Sequence, residues 1–306
     1  MRVSEAEGQP MKLVTFQDMR EERLGALVGD GVLDLVDAAA ARGETIAPSL
    51  QALIEGGASM WNLARDIIAT RPETAVRHDV ALLAPLPRPV RLRDASLFLD
   101  HMEAALQKVG RTMSPRFREQ VIYYNADHVH VFGPDADIPW PRLSEWRDYE
   151  LEWACVIGKP GVNIAAEDAR DHIFGYTLFN DWSARDLQFP FMEAGLGPGA
   201  GKDFANSLGP CIVTTDEVPD PYALQMIARV NGETWSRGTT GSMHHRFEDA
   251  IVQLSRDRPL VAGEIIGSGT VLSGCGLELD RRLALGDVVE LELERVGILR
   301  NRVVAA

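Results

Sequence analysis

Apolar and polar residues alternate through Glu145–Lys159, so that Tyr149, Leu151, Trp153, Cys155 and Ile157 share one side of a strand and Asp148, Glu150 and Glu152 the other. Apolar runs predict further strands at Met11–Phe16, Val121–Tyr124, Ile173–Asn180, Cys211–Thr214, Met226–Val230 and Ile265–Thr270. Arg23–Val28 and Val32–Val36 read as a hairpin through Asp30-Gly31, and Val288–Glu294 with Ile298–Arg300 as another turning at Gly297. Helical spacing runs through Leu50, Leu53, Ile54, Met60, Leu63 and Ile67, with a break at Gly56-Gly57. Helices are also predicted after Asp37, over Arg93–Lys108, over Ala165–His172 and over Met243–Ser255.

Residues 1–10 carry no periodicity and are expected to form a mobile tail. The proline-rich stretch Ala84–Val90 marks a boundary between a small N-terminal α/β unit, 11–84, and a larger unit, 85–306. The second unit is strand-rich without regular strand–helix alternation, which gives an α+β class overall. No candidate chemistry falls in the first unit.

Composition narrows the partners. A chain of 306 residues with 45% hydrophobic and 25% charged positions has the make-up of a globular protein. Its net charge of −14 argues against nucleic acid and anionic membranes as partners. Cys155, Cys211 and Cys275 are widely spaced and form no CxxC pair, so a reducing compartment is expected. No secretory leader and no run of 18 apolar residues is visible, and the expected location is the cytoplasm.

Candidate chemistry begins with Glu150 and Glu152. Two carboxylates side by side on a strand repel unless they share a proton or hold a cation, so a divalent metal is the natural guest. The spacing alone decides little, because Glu290, Glu292 and Glu294 repeat it on what reads as a solvated hairpin face. Asp94 and His101, seven apart in a predicted helix, would share one stripe; the plainer reading is a helix cap and a surface histidine. His128 and His130 form a competing zinc-like pair without further histidine or cysteine nearby. The run Gly195–Lys202 fails as a phosphate loop, since Leu196 and Asp203 stand where Gly and Ser or Thr are needed; it remains a flexible loop delivering one lysine. A polar cluster, Asp181–Gln188, follows an apolar strand, where active-site groups tend to sit.

Several blocks together carry a family resemblance. Asp148-Tyr-Glu-Leu-Glu152, Asn180-Asp-Trp-Ser-Ala-Arg-Asp-Leu-Gln188, Gly201-Lys-Asp-Phe204, Ser207-Leu-Gly-Pro210 and Gly267-Ser-Gly-Thr270 resemble, in order, the fumarylacetoacetate hydrolase family. The resemblance implies a mixed β-roll or β-sandwich catalytic domain, a homodimer, and one divalent cation, with Mg²⁺ favoured over Mn²⁺ or Ca²⁺. It implies metal ligands at Glu150, Glu152, Asp181 and, through an Asp-x6-His motif, Asp94. His101 would be the catalytic base with Glu264 as its carboxylate partner, and Lys202 would stabilise negative charge. Arg185, Gln188, Tyr124 and Thr270 would contact substrate. Ser96 and Met192 stand where hydrolase members carry tyrosines, so the pocket wall has changed. The implied activity is metal-dependent hydrolysis of a C–C bond in a 1,3-diketone or acylpyruvate-type 2-oxo acid through a metal-bound enolate. Decarboxylation, tautomerisation or hydration by the same intermediate, and a non-catalytic metal-binding role, are the alternatives.

Overall fold

A computed structural model describes residues 11–306; the tail expected at 1–10 lies outside the described residues. Strands Glu152–Ile157 and Ile173–Asp181 pair antiparallel at the centre of a 12-stranded sheet, and every residue in both is buried. The alternation in the first strand therefore separates two interiors, not core from solvent. Trp153, Cys155 and Ile157 enter one apolar cluster, where Trp153 meets Phe247 edge-on at 4.7 Å and Tyr176 at 5.2 Å. Ala154 and Val156 enter a second, shared with Phe174, Phe179 and the N-terminal helices.

The N-terminal hairpin forms from Glu21–Val28 and Gly31–Asp34, and Asp34 caps the helix Leu35–Ala41. Helices Leu50–Glu55 and Gly57–Thr70 break at the expected glycines. The sheet does not stop at the boundary expected near residue 84: strand Lys12–Asp18 pairs with Asn206–Thr214, Lys12 opposite Val213. Joining the edges satisfies backbone groups that a free-standing sheet would expose.

A second sheet of five strands contains the predicted hairpin, Val288–Leu293 with Gly297–Ala305. Glu292 there meets Arg229 at 2.6 Å on the outer face, in keeping with the solvated reading of Glu290–Glu294. Three helices shrink or move. Leu92–Ala95 is a strand, and the helix starts only at Leu99 and runs to Lys108. Pairing of Leu92–Ala95 with Ile265–Gly267 on one side and Tyr123–Asn125 on the other overrides the local helical spacing. Ala165–His172 keeps a short 3-10 turn at Ala169–His172, and Met243–Ser255 is helical over Phe247–Leu254.

Candidate active site

Strand register gathers the carboxylates. Glu152 opens its strand opposite Phe179, two residues before Asp181 ends the neighbouring one. Asp94 enters from the parallel strand, opposite Gly267. Asp94, Glu152 and Asp181 each offer an oxygen, all within 4.8 Å of one another. Asp94 is thus a strand residue and not a helix cap. Its carboxylate accepts the Gly269 N–H at 3.1 Å. Gly269 has φ +73°, and a Cβ there would lie 2.5 Å from the Ala95 carbonyl oxygen, so the approach requires glycine.

Glu150 stands differently from the other three. Its Oε1 accepts from Arg185 at 2.8 Å and its Oε2 from Lys202 at 2.6 Å, so both oxygens are taken by cations. Lys202 also donates to the Asp181 carbonyl at 3.3 Å and to Asp181 Oδ2. Gly201 makes that reach possible, since a Cβ there would meet Gln188 Cβ at 2.4 Å. Arg185 is fixed by Asp148 through Nε at 2.9 Å, and donates through Nη1 to Gln188 at 3.1 Å. Asp148 also accepts the Gly276 and Leu277 N–H groups at 2.6 and 3.0 Å. Sequence reading put Asp148 on the right face without giving it a role; its signal was the same alternation that marked Glu150.

Tyr124 and Thr270, expected at the substrate, line the cavity and also hold the carboxylates. The Tyr124 hydroxyl donates to Asp181 Oδ2, and Thr270 donates to Glu152 Oε1 at 3.2 Å. Even so, Glu152 Oε2 and Asp181 Oδ1 are buried without a hydrogen-bond partner. Withdrawal from water and the neighbouring Asp181 charge push Asp94 up to about 8. Burial raises Asp181 to about 6, against the pull of Lys202. Glu152 rises well above the usual carboxylate range through burial and the charges of Asp94 and Glu150. At Glu150 burial opposes ionisation, but Lys202 and Arg185 outweigh it and hold the pKa at about 2. Three crowded carboxylates, two of them with an orphaned oxygen, offer hard donor atoms that fit a divalent cation of the magnesium, manganese or calcium type.

A cavity of about 180 Å³ opens beside this cluster. Ser96 and Met192 are in its wall, and His101, Arg185, Gln188 and Lys202 reach it. The partner of His101 is not Glu264. His101 Nδ1 lies 2.8 Å from Glu278 Oε2, and Glu278 Oε1 accepts the Ser273 N–H at 3.0 Å. Glu264 is fully buried on another face, in an ion pair with Arg93. Glu278 follows His101 by 177 residues and sits on the one-turn helix Gly276–Leu279, so no local pattern links the two. His128 and His130 are exposed and take no part; His130 bonds Asp127 at 2.7 Å.

A strand-rich scaffold that presents clustered oxygen ligands beside a histidine–carboxylate pair defines an enzyme class built for acid–base work on a small polar substrate. Residues 95–304 match the family model described as fumarylacetoacetate (FAA) hydrolase C-terminal, and the chain belongs to the fumarylacetoacetate hydrolase family. A mitochondrial oxaloacetate tautomerase of Homo sapiens is 33% identical over 281 residues, 90% of this chain and 85% of its own. An oxaloacetate tautomerase of Bacillus subtilis is 32% identical over 227 residues, 74% and 73% of the two chains. The solved fumarylacetoacetate hydrolase of Exiguobacterium antarcticum superposes with TM-score 0.76 at 28% identity, covering 97% of this chain and 100% of that one. No helix among the described residues is long and apolar enough to cross a membrane.

Proposed function

We propose that the protein catalyses keto–enol tautomerisation of a small 2-oxo acid of the oxaloacetate type. The observation that carries this reading is the donor count at Lys202. Its ammonium has three N–H donors, and the Glu150 carboxylate, the Asp181 carboxylate and the Asp181 carbonyl engage all of them. That leaves none for the tetrahedral oxyanion that hydrolysis must stabilise. Tautomerisation forms no tetrahedral species; it needs a proton carrier, and the charge on its enolate oxygen would be offset by a divalent ion at Asp94, Glu152 and Asp181 rather than by Lys202.

His101 supplies the carrier. Glu278 holds Nδ1, which leaves Nε2 to face a substrate in the cavity. Nε2 takes a proton from the carbon beside the 2-oxo group, and a proton returns to the oxygen to complete the enol; the reverse sequence restores the ketone. A divalent ion held by Asp94, Glu152 and Asp181 would supply Lewis-acid polarisation of the oxo group. Arg185 and Gln188, locked together at 3.1 Å, orient the substrate carboxylate. The relatives named oxaloacetate tautomerase support the substrate type.

The second reading is C–C hydrolysis, in which the His101–Glu278 pair takes its proton from water instead. The similarity to a solved fumarylacetoacetate hydrolase supports it. The test supplies oxaloacetate enol and, separately, an acylpyruvate, each with Mg²⁺ or Mn²⁺. Fast equilibration of enol and ketone with total oxaloacetate conserved supports tautomerisation. Release of pyruvate and an acid from the acylpyruvate, with no acceleration of the enol, would overturn it.

A further inference from the structure

The strand Leu92–Ala95 presents two faces, each bordering a cavity. Asp94 opposes Tyr124 of the neighbouring strand, and both serve the active site. Arg93 opposes Asn125, one residue out of phase, and so belongs to the reverse face. There a cleft of about 540 Å³ is lined by Arg91, Arg93, Arg258, Tyr123, Asn125 and His128 among others, with no acidic residue in its lining.

Three guanidinium groups meeting in one cleft are unexpected in a chain of net charge −14. Like charges cost energy when gathered, so the cluster calls for a counter-charge. Among the described residues one acid serves it from behind: Glu264 pairs with Arg93 and lies 3.7 Å from Arg91. Arg93 has its side chain 4% exposed, and its Nε is buried without a hydrogen-bond acceptor. Arg93 adds its charge from beneath, while the exposed Arg91 and Arg258 offer an oxyanion in the cleft the fork geometry that arginine presents to phosphate and carboxylate. Tyr123 lies under the Arg93 guanidinium, 5.6 Å from its centre, and restrains it.

We infer that this cleft is a second binding site, for a small organic oxyanion bearing phosphate or carboxylate groups, separate from the active site and on the opposite face of the same two strands. Its volume exceeds that of a bare ion and admits a multiply charged metabolite. The site does not depend on which reaction the active site performs.

Calorimetric titration of the full chain at low ionic strength, with inorganic phosphate and with citrate as probes, tests it. One-site binding of either is expected; the tighter probe identifies phosphate or carboxylate as the preferred group. Arg258→Ala and Arg91→Ala change exposed side chains, so folding should persist while affinity falls about tenfold in each. Arg88→Ala, an exposed arginine outside this cleft, should leave affinity unchanged. No binding of either probe in the millimolar range, or binding equally strong in R258A and R91A, would overturn the inference.

Discussion

Replacing Glu278 and Glu264 separately by glutamine distinguishes the histidine's partner from a structural carboxylate. Glu278 lies 2.8 Å from His101, with side-chain exposures of 4% and 8%, so their hydrogen bond is shielded from water. Removing its charge while keeping its shape forfeits a charge-assisted hydrogen bond of about 1.5–3 kcal/mol. If that bond orients the ring and stabilises the imidazolium formed during proton transfer, kcat falls roughly 10- to 100-fold, at about 1.4 kcal/mol per decade. KM should stay within about twofold, because Glu278 acts through His101 and touches no substrate. Glu264→Gln predicts the converse. Its carboxylate is fully buried against the guanidinium of Arg93, so neutralising it leaves an uncompensated charge at a cost of about 3 kcal/mol. Its melting temperature should drop by roughly 5–10 °C while kcat changes less than about twofold. Steady-state kinetics of enol–keto exchange and calorimetric melting of both variants decide the matter. A folded E264Q without turnover beside a fully active E278Q would refute the assignment.

Metal-free protein should lose stability as pH rises. Asp94 and Asp181 have folded pKa values raised to about 8 and about 6, so between about pH 4 and pH 8 the folded state binds more protons than the unfolded one. The contribution of these two groups is fully present below about pH 4 and declines through the folded values, whereas Glu150, held at about 2, contributes above its ordinary pKa and loses that contribution only as pH falls toward 2. Added Mg²⁺ or Mn²⁺ should abolish the decline above about pH 4, and melting curves across pH with and without chelator would expose a flat metal-free profile as the contrary result. Gly269→Ala should weaken Mn²⁺ binding about tenfold, since the left-handed backbone and the Ala95 carbonyl at 2.5 Å force the N–H away from Asp94; unchanged affinity by calorimetry would contradict this. Trp153→Ala should cost about 3–5 kcal/mol, because the fully buried indole packs against Phe247 and Tyr176, and denaturant unfolding measures it.

Alternation and motif spacing made much of this protein visible in its sequence. The strand through Trp153, the N-terminal hairpin, the helices broken at Gly56 and the polar cluster from Asp181 to Gln188 follow from local chemistry, because backbone conformation answers first to neighbouring residues. Family motifs added Asp94, His101 and Lys202, and all three reach one cavity. Long-range pairing decided the rest. Asp94 left its predicted helix because two strands flank it. Glu150 accepts from two cations at the edge of the carboxylate cluster, since Lys202 and Arg185 arrive from segments 52 and 35 residues away. Glu278, and not Glu264, faces His101 across 177 residues of chain. Period and composition report which side of an element is apolar; they carry no distance between elements. Which carboxylate meets a histidine, and which arginines gather behind an active-site strand, are such distances, and only tertiary packing fixes them.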